Sequence, residues 1–221
     1  MTERSKPSMS LPALAAVYDR VARTYAEKFN DELAAKPLDR GLLDAFADLV
    51  GSKGRVIDMG CGPGQIAAYL AGRGVRAEGV DISPEMVAIA RELHPGLNFR
   101  VGDMLALEEP DSSIAGIAAF YAIVHLEPSE VVMATREWWR VLAPGGWLLV
   151  TFHIGSGRLH RDEFLGEQVQ IDFQFHERLA VEAALEQAGF RMDACLERHG
   201  HPEIEYPSLR AYLLARKMES Q

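Results

Sequence analysis

The 221-residue chain has only two cysteines and no apolar stretch of the length that crosses a membrane. Cys61 and Cys195 cannot supply the disulfide framework of a small secreted domain or the paired ligands of a common zinc motif. A membrane-spanning helix needs about 20 apolar residues, and even the long run from Ile114 to Leu126 contains a glycine, a tyrosine and a histidine. We therefore expect a soluble, cytoplasmic protein.

The chain also has fewer basic than acidic residues. Lysine and arginine number 23 against 32 acidic residues, the formal net charge is −9, and the basic residues are scattered along the chain. Nucleic-acid-binding proteins present a basic patch, so we expect no nucleic-acid partner; a local basic cleft in an acidic protein is the alternative. The start of the chain faintly resembles a secretory signal, but its apolar patch is short and contains Pro12. We expect no membrane partner, and a monomer or homodimer.

From Arg55 onward, β-branched runs alternate with helical patterns. In chain order these are RVIDM, GQIAAYLAGRG, RAEGVD, SPEMVAIARELHPG, NFRVGD, SIAGIAAFYA, PSEVVMATREWWRVLAPGG and WLLVTFHI. This alternation predicts an α/β fold in which a parallel sheet carries helices on both faces. The pair Gly145 and Gly146 predicts the end of the helix that precedes the fifth strand.

Two amphipathic helices precede this alternation. Apolar residues at three- and four-residue spacing mark them over residues 12–29 and 38–49, after a frayed tail that ends near Ser10. We expect residues 1–50 to form a helical lid and residues 51–221 to form one compact ligand-binding domain.

An insertion follows the fifth predicted strand. Residues 155–175 interrupt the regular alternation and predict a lid. From Gln168 to Phe175 apolar and polar residues alternate, which predicts an extended segment whose apolar face covers a small acceptor or contacts a second copy. The elements expected after it are a helix over residues 176–188 and strands over 190–197 and 209–217.

The stretch VIDMGCGPGQ, residues 56–65, places three glycines after an acid. A glycine turn between a strand and a helix lets a ligand approach the backbone and the positive end of the helix. Its spacing, G-x-G-x-G, differs from the G-x-G-x-x-G of dinucleotide sites. Asp58 would repel a pyrophosphate but attract an ammonium group, directly or through a water. The alternative role for Asp58 is to cap the following helix.

Two further acids end the next two predicted strands. Asp81 can accept hydrogen bonds from both hydroxyls of a ribose. Asp103 can reach an adenine amino group while Met104 packs on the ring. Parallel strands end at one edge of the sheet, so the three acids together predict a ligand with an ammonium, a ribose and an adenine but no phosphate.

Five stretches of the chain resemble, in order, the motifs of the class I S-adenosylmethionine-dependent methyltransferases. These stretches are VIDMGCGPGQ, GVDISPEMVAIAR, VGDM, AFYAIVHL and LAPGGWLLV. The resemblance covers residues 55–152. It implies a Rossmann-like sheet of seven mostly parallel strands, the last antiparallel, with the two tail strands as the sixth and seventh. It also implies S-adenosylmethionine as cofactor and S-adenosylhomocysteine as product. A small-molecule acceptor is favoured over protein or nucleic acid, because no Asn-Pro-Pro-Tyr-like motif follows the fourth strand.

The resemblance further implies which residues hold the cofactor. The glycine loop holds the methionine part, Asp81 the ribose, and the residues around Asp103 the adenine, while the first helix closes over them. The complete implied set is Tyr18, Tyr25, Asp58, Gly60, Cys61, Gly62, Gly64, Gln65, Asp81, Ile82, Met86, Gly102, Asp103, Met104, Phe120 and Tyr121.

Methyl transfer to an O, N or C nucleophile is an in-line displacement, which positioning and desolvation can largely accelerate. A base helps when the acceptor carries a proton. We nominate His125 first and His153 second, because each follows a predicted strand, with Tyr121 orienting the acceptor. His125 could equally cap a helix.

Three other interpretations compete with this one. An NAD-linked oxidoreductase is disfavoured by the glycine spacing and by Asp58. A protein that binds the cofactor without catalysis is harder to exclude, because the binding motifs are clearer than any catalytic group. A metal site would need the tight ligand spacing that the candidates lack, so we expect none. Those candidates are His153, His160, Asp162, Asp172 and His176.

Overall fold

The computed structural model describes residues 9–218; residues 1–8, which make up most of the predicted tail, and residues 219–221 lie outside the described part. The helices in this range are α1 (Leu11–Phe29), α2 (Pro37–Val50), α3 (Gln65–Gly72), α4 (Pro84–Leu93), α5 (Pro128–Val141) and α6 (Arg178–Ala188). The strands are β1 (Arg55–Met59), β2 (Arg76–Asp81), β3 (Asn98–Val101), β4 (Ile114–Phe120), β5 (Leu142–His153), β6 (Arg158–Phe164), β7 (Glu167–Gln174), β8 (Phe190–His199) and β9 (Leu209–Lys217). Short 3₁₀ turns cover Glu32–Ala35 and Ala122–His125. None of the helices among residues 9–218 is long and apolar enough to span a membrane.

Seven of these strands form one sheet, in the order β3-β2-β1-β4-β5-β9-β8. The neighbours from β3 to β5 are parallel, whereas β9 runs antiparallel to both β5 and β8. The predicted mostly parallel sheet with an antiparallel last strand is therefore confirmed. The strand order reverses between β1 and β4, where an open α/β sheet leaves a crevice for a ligand.

Helices cover both faces of the sheet. On one face α5 and α6 pack through Trp138 and Leu185, and on the other α2 and α3 pack through Phe46 and Ile66. These four side chains are buried, and burial of apolar surface is the main favourable term in folding. The helix α2 thus belongs to the packed layer around the sheet.

The helix α1 lies at the edge of this layer and packs on two elements. Leu14 contacts a cluster that contains Ile171 of β7, and Ala22 contacts a cluster that contains Met86 of α4. The strands β6 and β7 form a separate antiparallel hairpin within the predicted insertion. The apolar face of β7 is therefore covered by α1 of the same chain.

The end of α5 differs from the prediction. The helix ends at Val141, one turn before the glycine pair, and β5 begins at once with Leu142. Pro144 disfavours helical backbone at the residue before it, Ala143, so the helix cannot extend to Gly145. The predicted boundary at Gly145 and Gly146 was therefore wrong.

Candidate functional site

A cleft of about 730 Å³ opens at the carboxyl ends of β1, β2 and β4. It lies where the strand order reverses, and α1 and the β6–β7 hairpin form its other walls. All but one of the predicted cofactor residues line it, and so do His125 and His153. The exception is Gly64.

The glycine loop between β1 and α3 has left-handed backbone at all three glycines. At Gly60 φ is 67°, and a Cβ there would lie 3.0 Å from the Ala122 side chain. At Gly64 φ is 90°, and a Cβ would lie 2.7 Å from the Phe99 ring. Gly64 therefore faces Phe99 and starts α3, while Gly60 and Gly62 border the cleft.

Asp58 lines the cleft and also caps the helix that follows. Its Oδ2 accepts a 3.0 Å hydrogen bond from the backbone N–H of Ala67 in α3. Burial raises the pKa of Asp58 to about 8, the hydrogen bond from Ala67 opposes this rise, and the charge of Asp81 adds to it. The capping role that the sequence offered as an alternative is thus observed, in a carboxyl group that also borders the cleft.

Asp81 connects the glycine loop to the start of α4. Its Oδ2 accepts from the N–H of Gly62 at 2.8 Å, and its Oδ1 accepts from the N–H of Ser83 at 2.9 Å. Burial raises the pKa of Asp81 although these hydrogen bonds lower it. Ser83 also donates through its hydroxyl to Asp19 of α1 at 2.6 Å, so α1 is tied to the same edge of the sheet.

Asp103 forms a turn at the end of β3. Its Oδ1 accepts from the N–H of Leu105 at 2.8 Å. Gly102, Asp103 and Met104 border the cleft beside Ile82, which extends the line of polar groups that begins at Asp58. The three strand-end acids therefore meet in one cleft.

Gln65, at the start of α3, provides an unsatisfied acceptor in this cleft. Its Nε2 donates to Glu32 at 3.2 Å, while its Oε1 is buried and has no hydrogen-bond partner among residues 9–218. A buried acceptor without a partner costs free energy unless a ligand supplies a donor. An ammonium group between Gln65 and Asp58 would satisfy both.

His125 joins α1 to the hairpin. Its Nδ1–H donates to the Asp172 carbonyl at 2.7 Å, and the Tyr18 hydroxyl donates to Nε2 at 2.7 Å. A carbonyl can only accept, so Nδ1 carries the proton. Burial lowers the pKa of His125 to about 4. The α5 N-cap is Glu127, so His125 lines the cleft and does not cap that helix.

Replacing His125 with alanine is expected to loosen the contact between α1 and the hairpin. Two part-buried hydrogen bonds are lost, so local opening should make protease cleavage within residues 155–175 about tenfold faster. Timed proteolysis followed by mass spectrometry measures this rate. Tyr18→Phe, which removes one of the same bonds, should accelerate cleavage in the same segment. His160→Ala, on the exposed face of the hairpin, is the control, and a His125 variant no faster than this control would contradict the prediction.

His153 lies at the end of β5 beside Tyr121. The two rings are 5.0 Å apart, and His153 Nδ1 lies 2.7 Å from the Ser208 hydroxyl. Burial lowers the pKa of His153 to about 4, and the positive charge of Arg210 contributes. Because its pKa lies well below 7, His153 is neutral near pH 7.

Tyr121 has left-handed backbone, φ 54°, and its N–H donates to Thr151 at the same strand ends.

Of the residues weighed as metal ligands, His160 contacts both Asp162 and Asp172 on the hairpin. Within the described chain no group of three histidine, cysteine or acidic side chains has metal-binding geometry. His160 instead accepts or donates within an exposed network with Asp172 and Gln170.

Residues 56–146 match the model of a family described as a methyltransferase domain. Over 99 residues the chain is 39% identical to the trans-aconitate 2-methyltransferase of Mycobacterium tuberculosis, covering 43% of this chain and 36% of that protein. Over 139 residues it is 34% identical to the demethylmenaquinone methyltransferase of Beutenbergia cavernae, covering 62% of this chain and 56% of that protein. The chain thus spans about a third to a little over half of these two relatives.

A solved structure of a SAM-dependent methyltransferase from Methanosarcina mazei superimposes with a TM-score of 0.67, covering 75% of this chain and 93% of that protein. Its identity is 21%, so it shows the shared fold alone. Residues 56–146 of this chain thus match a methyltransferase domain, as expected for the class I S-adenosylmethionine-dependent methyltransferases. The resemblance predicted from five ordered motifs is confirmed, and S-adenosylmethionine is the cofactor that defines this family.

Sequence reasoning missed a group of charged side chains in the cleft. Lys36 pairs with Glu32 at 2.6 Å and with Glu205 at 3.2 Å, and Arg210 lies 3.5 Å from Glu205. Burial lowers the pKa of Lys36, but the neighbouring carboxylates more than offset this and raise it overall. The i, i+4 spacing of Glu32 and Lys36 was a usable signal. No local sequence pattern predicts the ion pairs that Lys36 and Arg210 form with Glu205.

Proposed function

We propose that this chain transfers the methyl group of S-adenosylmethionine to a small-molecule acceptor. The observation that carries the proposal is the meeting of Asp58, Asp81 and Asp103 in one cleft with the glycine loop. The methyltransferase family of the chain supports the cofactor, and the names of its relatives point to small acceptors of unlike chemistry.

Each end of the cofactor has a matching group in the cleft. Asp58 and the unpartnered Oε1 of Gln65 accept from the ammonium of the methionine part. Asp81 accepts from the ribose hydroxyls, since each carboxylate oxygen can accept a second hydrogen bond beside the backbone N–H it already holds. Asp103 accepts from the adenine amino group, and Met104 packs on the ring. The remaining predicted residues line the same cleft and complete the enclosure.

When bound, the cofactor supplies an electrophilic methyl group on a positively charged sulfur. The residues of this chain orient the acceptor for in-line attack and exclude water. Tyr18 on α1 and Phe173 on β7 border the cleft, so closure of α1 and the hairpin over the ligands keeps the reacting groups dry.

Of the two nominated bases, His153 fits the role better than His125. Both ring nitrogens of His125 are engaged, one by Tyr18 and the other by the Asp172 carbonyl. His153 uses Nδ1 toward Ser208, which leaves Nε2 for a bound acceptor. We therefore assign His125 a positioning role and His153 the proton-accepting role.

A thermal shift experiment tests the cofactor. At a hundredfold excess over the dissociation constant, S-adenosylmethionine and S-adenosylhomocysteine should each stabilise the protein by about 2.7 kcal/mol, or about 5–10 °C for a domain of this size. NADH should give no shift. Asp81→Ala should reduce the shift, because it removes charge-assisted hydrogen bonds worth about 1.5–3 kcal/mol each. Stabilisation by NADH alone would overturn the assignment.

A further inference from the structure

Four aromatic side chains form one end of the cleft. We call this end the His153 chamber, and its members are Tyr121, His153, Phe175 and Tyr206. The His153 ring lies 5.0 Å from Tyr121, 5.9 Å from Phe175 and 6.3 Å from Tyr206, while Phe175 and Tyr206 are 6.2 Å apart. They come from the ends of β4, β5 and β7 and from the segment between β8 and β9. Ring spacings of this size are those of aromatic side chains packed edge-on or offset against one another, so the four rings form one aromatic wall on which a flat ring can stack.

Cations border the chamber, but their charges are already compensated. Lys36 and Arg210 each lie 5.9 Å from the Tyr121 ring centre. Lys36 is held by Glu32 and Glu205, and Arg210 donates to the carbonyls of Ser208 and Tyr206 and lies 3.5 Å from Glu205. An anionic acceptor would therefore lose its hydration without gaining a free positive charge.

A cationic acceptor is disfavoured by the same residues. Aromatic chambers attract ammonium groups through the faces of their rings. Here Lys36 and Arg210 already lie over the Tyr121 ring, so they compete with a ligand ammonium for that ring. The chamber thus discriminates against both signs of charge.

Of the four side chains, His153 is the one that can take up a proton, at a ring nitrogen. Its Nδ1 lies 2.7 Å from the Ser208 hydroxyl, which fixes the orientation of the ring. In the tautomer in which Nδ1–H donates to the Ser208 oxygen, Nε2 is unprotonated and can accept from the hydroxyl of a bound ring.

We propose that the His153 chamber binds a planar, uncharged aromatic acceptor through its ring and takes the proton of its hydroxyl group at His153 Nε2. This inference rests on the proposed function. In the reaction, the bond between the hydroxyl oxygen and the transferred carbon forms as the carbon–sulfur bond breaks. The bonding electron pair leaves with sulfur, and the hydroxyl proton moves to Nε2.

Calorimetric titration of the protein saturated with S-adenosylhomocysteine tests the chamber by binding alone. The probes are naphthol, naphthoate and naphthylmethylammonium, which share a ring system and differ in charge. Naphthol should bind at least about tenfold more tightly than either charged probe, since burying an unpaired charge costs more than burying a hydroxyl. Equal or tighter binding of a charged probe would overturn the inference.

Two variants locate the binding. Tyr206→Ala should weaken naphthol binding about tenfold without changing the affinity for S-adenosylhomocysteine, because Tyr206 is half exposed and stacks only in the chamber. His153→Phe keeps a ring of similar size, so naphthol should still bind while its methylation falls by about a hundredfold or more. His160→Ala, outside the cleft, should change neither value. Unchanged naphthol affinity in Tyr206→Ala, or unchanged methylation in His153→Phe, would contradict the assignment.

The result with S-adenosylhomocysteine distinguishes a failure of the His153 chamber inference from a failure of the proposed function. If the wild-type protein binds S-adenosylhomocysteine but not naphthol, the inference about the chamber fails and the proposed function stands. If it does not bind S-adenosylhomocysteine, the proposed function fails and the inference falls with it.

Discussion

Binding of S-adenosylhomocysteine should tighten by about tenfold to a hundredfold as the pH rises from 6 to 8. Burial holds the pKa of Asp58 at about 8 in the ligand-free protein, so its carboxyl is protonated at pH 6. A ligand ammonium favours the ionised form, and binding must therefore release the proton. Each pH unit below the ligand-free pKa costs about a factor of ten in affinity, and the dependence levels off above it.

The raised pKa of Asp58 has the opposite effect on the stability of the ligand-free protein. A carboxyl group whose pKa is raised by folding stabilises the native state below its ordinary pKa, and this contribution is lost as the pH rises toward 8. The ligand-free protein should therefore lose stability over the range in which ligand binding strengthens. Thermal unfolding with and without ligand, measured at several pH values, should show the two trends diverging.

Asp58→Asn is the matched control for this prediction. The asparagine carbonyl can still accept the hydrogen bond from Ala67, so α3 keeps its cap, but the side chain no longer titrates. Affinity should be weaker than wild type at pH 8 and nearly independent of pH. A flat wild-type profile, or an Asp58→Asn profile as steep as that of wild type, would show that Asp58 does not meet the ligand ammonium.

The elements of the fold were predictable because their signals are local. Ser83 before Pro84 marks the start of α4, and in the structure the Ser83 hydroxyl accepts from the N–H of Met86. The end of α5 was missed because the glycine pair was given more weight than Pro144, although the restriction that proline places on the preceding residue acts earlier in the chain.

The site was predictable only in part, for a related reason. Asp58, Asp81 and Asp103 fall at strand ends, and parallel pairing brings such ends together whatever the intervening sequence. The engagement of His125 by Asp172, and of Lys36 by Glu205, joins segments far apart in the chain. Neither periodicity nor motif spacing encodes such pairs, so the ion pairs beside the cleft are visible only in the structure.

Replacing Arg198 with alanine should destabilise the protein by about 3–5 kcal/mol, which lowers the melting temperature by about 10 °C. Arg198 donates to Asp39 of α2 at 2.8 Å, to Glu205 at 2.6 Å and to the Tyr212 hydroxyl at 2.8 Å. The side chains of Asp39 and Glu205 are only 1% and 3% exposed, so removing the arginine leaves two carboxylates buried without their shared cation. Denaturant unfolding measures the loss.

The destabilisation caused by Arg198→Ala should become smaller as the pH falls. Burial by itself raises the pKa of Glu205, but the hydrogen bond from Arg198 and the charges of Lys36 and Arg210 reverse this and hold it well below its ordinary value. A depressed carboxyl pKa stabilises the native state above the unfolded-state pKa, and this stabilisation is lost as the pH falls. Without Arg198 the Glu205 carboxylate takes up a proton more readily, so the difference in stability between wild type and variant should shrink below about pH 5.

Arg191→Ala provides the matched control, because Arg191 forms an exposed pair with Asp193 at 3.5 Å. Such a pair contributes less than about 1 kcal/mol. Equal losses for the two variants would mean that the buried pairs of Arg198 stabilise the protein no more than a surface pair. A large loss confined to Arg198→Ala would show that the buried pairs of Arg198 with Asp39 and Glu205 stabilise the fold.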